Sequence, residues 1–303
     1  MKEAIELVEK TFRDLPQIIQ PPKTYLILPK GDLRMMPAYI PDLGIFGVKL
    51  VTVFPENSEL PAVLSQTLLF DDNSGALIET IPSTELTAIR TGATGAVAAK
   101  WLCDKERVKV SIFGLGVQGH YLIKALKEVK QIETIFAFDL DESKRRKFRD
   151  EFDSVVIDTP PKLACQQSDI IITATPSTEP IVRKEWVPEE CLILAMGADA
   201  PGKQELDLEI LTNAIIICDS IEQAIHSGEI NVAISLKIKL NIAAELSQIV
   251  SGYFEFDKKG KTIVFDSTGI AALDVAIADH QRKKSVKNSA GSYIIGWRDR
   301  KEE

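Results

Sequence analysis

Histidine is scarce in this chain of 303 residues, with His120, His226 and His280 the full complement. A histidine-based metal centre would need nearly all of them to converge, so no metal site is expected. Cysteine is sparse as well. Cys103, Cys165, Cys191 and Cys218 stand far apart without a C-x-x-C pair, which argues against a zinc ribbon or a disulfide framework and reads as small buried hydrophobes in a reducing compartment. Basic residues are outnumbered, 36 against 44 acidic ones, and a formal net charge of −8 repels phosphate backbones and anionic membranes. Neither nucleic acid nor a membrane surface is an expected partner. Long apolar runs are missing too: the richest, Ala214 to Cys218, is strand-length against the roughly 18 residues of a membrane span. The N-terminal MKEAIELVEKTFRDL sets Ile5, Val8, Phe12 and Leu15 at helical spacing between charges, an amphipathic surface helix rather than a secretory leader. A soluble, cytoplasmic protein of about two domains is expected.

Three stretches differ in pattern. From Thr24 to Ile81 the runs TYLIL, FGVKLVTVF, VLSQTLLFD and GALIETI are β-branched or aromatic and separated by turn residues, the last two forming a hairpin across Asp72-Asn73-Ser74-Gly75. Ser83 or Thr84 then caps the helical segment TELTAIRTGATGAVAAKWL, in which Gly92 and Gly95 imply a break or a close backbone approach. From Val108 to about Ser220 short apolar runs (VKVSIFG, TIFAFDL, SVVID, DIIITAT, CLILAMGA, AIIICDS) alternate with helical segments, the rhythm of a parallel sheet covered on both faces. A helix (AAELSQIVSG), a strand (KTIVFDS) and a helix (GIAALDVAIADHQRKK) follow.

The most informative motif is Gly114-Leu115-Gly116-Val117-Gln118-Gly119, which follows the strand VKVSIF and opens the helix QGHYLIKALKEV. In that context Gly114 makes a tight turn, Gly116 admits a pyrophosphate, Gly119 packs helix on strand, and the helix N-terminus offers unpaired N–H groups. Asp139 ends the next strand, 20 residues after Gly119, where a carboxylate accepts from the adenosine ribose hydroxyls of NAD and repels the extra phosphate of NADP. Lys144, Arg145 and Arg146 nearby work in the opposite sense.

A nicotinamide cofactor requires a substrate with a C–H to give. Arg90 sits beside the glycines of an otherwise apolar helix, and its planar fork suits a carboxylate, although a structurally paired arginine is the plainer alternative. Lys49 interrupts the apolar run FGVKLVTVF and either snorkels outward or points into a polar pocket. Asp199, in LILAMGADAPGKQEL, lies just past a strand end where open parallel sheets bind ligands, and can move a proton there unless it merely starts the Asp-Ala-Pro-Gly turn.

With these segments together, RTGATGAVAAKWL, GLGVQG, GADAPGKQEL, GEINVA and FDSTGIAALDVA, in this order and over nearly the whole chain, the sequence resembles the ornithine cyclodeaminase and mu-crystallin family. Its second half is most similar to the family's archaeal-type alanine dehydrogenases. The resemblance implies an α/β protein in which a Rossmann-type doubly wound parallel sheet, residues 106–274, is inserted into a β-rich substrate and dimerisation domain, residues 1–105 plus 275–303. It implies a homodimer holding NAD and acting on a small amino or keto acid. Lys49 and Arg90 match the family's carboxylate ligands and Asp199 its catalytic aspartate. Val117 and Gln118 match pyrophosphate contacts, Asp139 the ribose contact, and Thr175, Lys203 and Ser267 further cofactor contacts, while Thr268 would face the substrate.

Departures from the family pattern bear on the substrate. Pro22-Lys23 stands where the family has an arginine after proline, which makes Lys23 a carboxylate ligand without a bidentate fork. Arg34 stands where ornithine cyclodeaminases carry a glutamate, and it would repel the distal ammonium of ornithine. Ala62 replaces a threonine that could touch the cofactor. The resulting expectation is an NAD-dependent oxidoreductase of a small L-amino acid or its imine, of the alanine dehydrogenase type. The alternatives are conversion of ornithine to proline and ammonia with bound NAD, and a non-enzymatic mu-crystallin-like binding protein.

Overall fold

The computed structural model describes residues 1–288 except Ser58 and Ile157; residues 289–303 of the expected C-terminal part of the first domain lie outside the described residues. Helix α1 (Lys2–Asp14) buries Ile5, Val8 and Phe12 and turns its charges outward. Five strands follow, β1 (Thr24–Leu28), β2 (Gly31–Ile40), β3 (Ile45–Val53), β4 (Val63–Asp71) and β5 (Leu77–Pro82), joined antiparallel in chain order. Along β3 the side chains alternate, so Ile45, Gly47, Lys49 and Val51 share the buried face. The hairpin expected from the last two runs is the β4–β5 pair.

Helix α2 (Thr84–Leu102) is unbroken, and 13 of its 19 residues are buried. Its glycines serve close approach: a Cβ on Gly92 would lie 2.4 Å from the Tyr121 carbonyl oxygen, and one on Gly95 2.6 Å from Leu122. Ser83 occupies the cap position, but its hydroxyl donates to Thr67 Oγ1 and the Ile81 carbonyl instead of capping.

Beyond α2 come β6 (Arg107–Phe113), α3 (Val117–Leu126), β7 (Gln131–Phe138), α4 (Glu142–Glu151), β8 (Val155–Val156), α5 (Pro161–Gln166), β9 (Ile170–Thr173), β10 (Cys191–Ala195), α6 (Leu208–Asn213), β11 (Ile215–Cys218), α7 (Ile221–Ser227), α8 (Asn231–Ser235), β12 (Ile242–Glu245), α9 (Leu246–Val250), β13 (Thr262–Asp266) and α10 (Ala271–Asn288). The eight strands form one parallel sheet ordered β12-β11-β13-β10-β9-β6-β7-β8. Its central runs IIIT and CLILA are buried throughout, as strands covered on both faces must be. The segment AAELSQIVSG departs from the expected helix. Its first residues form the edge strand β12, paired with β11, and only Leu246–Val250 are helical, because Glu245 and Gln248 close a capping box there.

Two features of this topology place a site. The strand order reverses between β6 and β9, leaving a crevice beyond their C-terminal ends. After β13 the chain returns to the first sheet, where α10 packs on β2, β3 and β4. All four cysteines are free and buried. Among the described residues no helix is long and apolar enough to cross a membrane.

Candidate active site

Between the two sheets lies a cavity of about 790 Å³, within the range of small-ligand sites, and it collects residues from both. Lys23 enters from the segment before β1, Arg34 and Lys49 from the first sheet and Arg90 from α2; Gln118 enters from the first turn of α3, and Thr175, Asp199, Lys203, Ser267 and Thr268 from loops after parallel strands. Residues spread from 23 to 268 in the chain meet because each parallel strand ends at the same crevice.

At the cofactor end the glycines of the motif do three different things. Gly114 has φ +98°, and a Cβ there would sit 2.4 Å from the Ala174 carbonyl oxygen, so only glycine allows β6 and β9 to come this close. Gly119 likewise lies against the Gly114 carbonyl, at 2.2 Å from a Cβ. Around Gly116, by contrast, a Cβ would meet nothing within 4 Å, which leaves open space at the N-terminus of α3. Val117 is exposed there, and Gln118 keeps a buried Oε1 without a hydrogen-bond partner. Asp139 accepts from the Leu115 N–H at 2.9 Å and from the Asp141 N–H at 2.9 Å, so its carboxylate holds the glycine turn as well as ending β7. Open backbone, free N–H groups and a carboxylate at the strand end fit a dinucleotide.

The substrate end is strongly cationic. Lys49 does not snorkel outward: it is 1% exposed, and its Nζ donates to Asp274 Oδ1 at 2.8 Å. Arg90, also buried, donates its Nε to the same oxygen at 2.9 Å. Among the described residues that is the protein's only hold on the Arg90 guanidinium, which leaves its two terminal nitrogens for a carboxylate. Lys23 Nζ donates to the carbonyls of Asp199 at 3.1 Å and Thr268 at 2.9 Å. Burial pushes both amines down to about 8, Lys23 against the pull of Asp199 and Lys49 against that of Asp274.

Asp199 faces this group from beyond β10. Its Oδ2 accepts from Arg34 at 2.5 Å and its Oδ1 from Lys203 at 2.5 Å, while its carbonyl also accepts from the Tyr25 hydroxyl at 3.1 Å. A turn aspartate would need none of these partners. Burial works to raise its pKa, but Arg34, Lys203 and Lys23 together outweigh it and hold the carboxyl well below the usual range. Arg34 is itself clamped by Asp32 through Nε at 2.7 Å.

The remaining expected residues are placed by two buried carboxylates, Glu205 and Asp219. Thr175 gives both its N–H and its hydroxyl to Glu205 at 2.7 Å, Ser267 its hydroxyl to Asp219 at 2.9 Å, and Thr268 its hydroxyl to Asp219 at 3.2 Å. Among the described residues no group of three or more His, Cys, Asp or Glu side chains is arranged to hold a metal.

The model of the ornithine cyclodeaminase/mu-crystallin family matches residues 1–289. The chain belongs to that family. Within it, the sequence is 38% identical to the alanine dehydrogenase of Archaeoglobus fulgidus, over 98% of this chain and 95% of that protein. Among solved structures of family type, an archaeal alanine dehydrogenase dimer with bound NAD superposes with a TM-score of 0.91 at 37% identity, covering 96% of this chain and 93% of that one. The Δ1-pyrroline-2-carboxylate reductase of Thermococcus litoralis, in complex with NADH and L-proline, gives 0.92 at 30% identity, covering 97% and 95%.

Set among these family members, the α/β architecture with a Rossmann-type sheet agrees with the sequence reading. Sequence reasoning missed Asp274, Asp32, Tyr25, Glu205 and Asp219. One signal could have found Asp274: it is a lone charge in the apolar helical run AALDVAIA, the same kind of interruption that marked Lys49 in its strand.

Proposed function

We propose that this chain is an NAD-dependent oxidoreductase of a small L-amino acid, alanine in type, working as oxidative deamination or, in reverse, reductive amination of a keto acid. The observation that carries the reading is the meeting of Lys23, Lys49 and Arg90 with Asp199 in one cavity beside the glycine turn. NAD, when bound, supplies the hydride chemistry. Lys49 and Arg90, with Lys23, hold the substrate carboxylate and so fix which way the α-carbon faces. Asp199 takes a proton from the water that adds to the imine carbon and returns one to the departing ammonia. While Arg34 and Lys203 grip it, Asp199 stays ionised and weakly basic; an arriving carboxylate competes for Arg34 and Lys23 and so makes it a better base. Gln118, Asp139, Thr175, Lys203 and Ser267 are proposed to contact the cofactor, and Thr268 to face the substrate.

Arg34 also argues about the substrate's far end. The two carboxylates that line the cavity, Asp32 and Asp199, are both already ion-paired with its guanidinium, so neither is left free to receive the second ammonium of ornithine, and the cyclodeaminase reading is disfavoured. A panel that follows NADH, ammonia and proline tests this. L-Alanine is expected to accumulate NADH and release ammonia; proline formed from ornithine without net NADH would overturn the assignment.

The first sheet with α10 forms the substrate and dimerisation unit in this reading, and the parallel sheet forms the cofactor unit. One face of the first sheet supports self-pairing. Pro37, Tyr39, Phe46, Val48, Leu68 and Phe70 point away from α10, half-exposed, with Phe46 and Phe70 stacked at 5.0 Å. An apolar sheet face of this kind suits a second copy. The expected result is a homodimer by light scattering at micromolar concentration; a monomeric mass would contradict it. Four buried thiols without disulfides suit a reducing, cytoplasmic setting.

A further inference from the structure

One deeply buried charge near the substrate end belongs to a residue that does not line the cavity. Asp274, in the first turn of α10, is 2% exposed, and its Oδ1 alone accepts from both Lys49 Nζ and Arg90 Nε. These two cations come from β3 and α2, elements with no other reason to bring their charges to one point. Two buried cations side by side repel each other and lose hydration; one carboxylate between them removes most of that cost and leaves a net charge of about +1, the complement of a single substrate carboxylate.

We propose that Asp274 is the positioning residue of the carboxylate grip: its Oδ1 sets the placement of Lys49 and Arg90 relative to each other, and its carboxylate is the counter-ion of Lys49. The inference rests on the reading that Lys49 and Arg90 hold the substrate carboxylate. Two further observations support it. Gly269, with φ +77°, lies against the other edge of Arg90; a Cβ there would sit 2.6 Å from Nη1 and 2.8 Å from Nη2, so only a bare backbone leaves room for the guanidinium where Asp274 places it. Among the described residues Asp274 Oδ2 has no hydrogen-bond donor, so both cations are tied to the one oxygen, Oδ1. The charged groups facing Lys49 are Asp274 from α10, Arg90 from α2 and Lys23 from the segment before β1. Of these only Asp274 favours the ammonium.

The test compares Asp274→Asn, Asp274→Glu and Lys49→Met, each checked for unchanged NADH binding by fluorescence and assayed with pyruvate, ammonia and NADH from about pH 5.5 to 9.5. Asn keeps the shape and an acceptor but removes the charge, so the alkaline fall of kcat/KM is expected to move down by at least about one pH unit, with activity recovering at low pH. Glu keeps the charge but displaces it, so that fall stays within about half a unit of the unmodified protein while the KM for pyruvate rises several-fold. A role in packing alone predicts losses that do not depend on pH. An alkaline limb unmoved in Asp274→Asn overturns the proposal; should that variant not fold, an unchanged pyruvate KM in Asp274→Glu overturns it equally. Lys49→Met separates the two layers: an unchanged pyruvate KM there refutes the carboxylate-grip reading itself, whereas a raised KM with a negative Asp274 result refutes only the positioning role.

Discussion

Asp199→Asn is expected to lower turnover by roughly a hundredfold or more without weakening NAD binding, the usual scale for removing a general acid–base group. The substitution preserves shape, and an amide oxygen can still accept from Arg34 or Lys203, so the loop after β10 should keep its course. What it loses is the capacity to take up a proton. If Asp199 served only to start the Asp-Ala-Pro-Gly turn, asparagine would fit it nearly as well and activity would survive. The geometry sharpens the contrast. Asp199 sits between two cations rather than in a solvated turn, so the variant also frees Arg34 and Lys203 from their shared anion. Substrate binding is therefore expected to hold or tighten as turnover falls, and a turnover within about threefold of the unmodified protein would refute the proton-relay role.

Lys49→Ala is expected to behave differently, raising KM by roughly ten- to a hundredfold and reducing turnover as well, the scale of one charge-assisted hydrogen bond that both orients and binds. The pH dependence follows from the sign of the shift. Lys49 holds a carboxylate only as the ammonium, and burial brings its pKa down to about 8. Below that value the cation is present and KM is low; above it the proton is lost and KM rises, with Lys23 titrating in the same window and adding to the trend. The alanine variant should thus start from a high KM at neutral pH and show a shallower alkaline rise, because one of the two titrating amines is gone. A KM for the amino or keto acid that is the same in both proteins at pH 7 would remove Lys49 from the grip.

Much of this was legible in the sequence because the underlying physics is local. The glycine spacing after VKVSIF specifies a turn that at Gly114 and Gly119 has no room for a side chain, and Asp139 is tied to it by the length of one helix and one strand. Alternating and continuous apolar runs likewise separated the antiparallel sheet from the parallel one, because side-chain period depends on the strand and not on its neighbours. Residues out of place for their surroundings, Lys49 in a strand and Arg90 in an apolar helix, advertised themselves as candidates. Their direction did not, since an interrupting charge can turn either way until the opposite face is known.

Only the tertiary structure decided what each charge answers to. Asp274 lies 225 residues from Lys49 and 184 from Arg90, and Asp199 lies 165 from Arg34, so no spacing rule relates them. The same holds for Gly92 and Gly95, whose small size means a close helix contact rather than a break because α3 arrives from elsewhere in the chain. It holds for AAELSQIVSG, where pairing with β11 overrides a helical propensity. Sequence by itself determined most of the elements, though not β2 or β12, and the cofactor turn, all of which rest on neighbouring residues. Burial, counterions and the direction of every functional side chain depend on contacts made when distant segments close one cavity, and those free energies exist only in the folded chain.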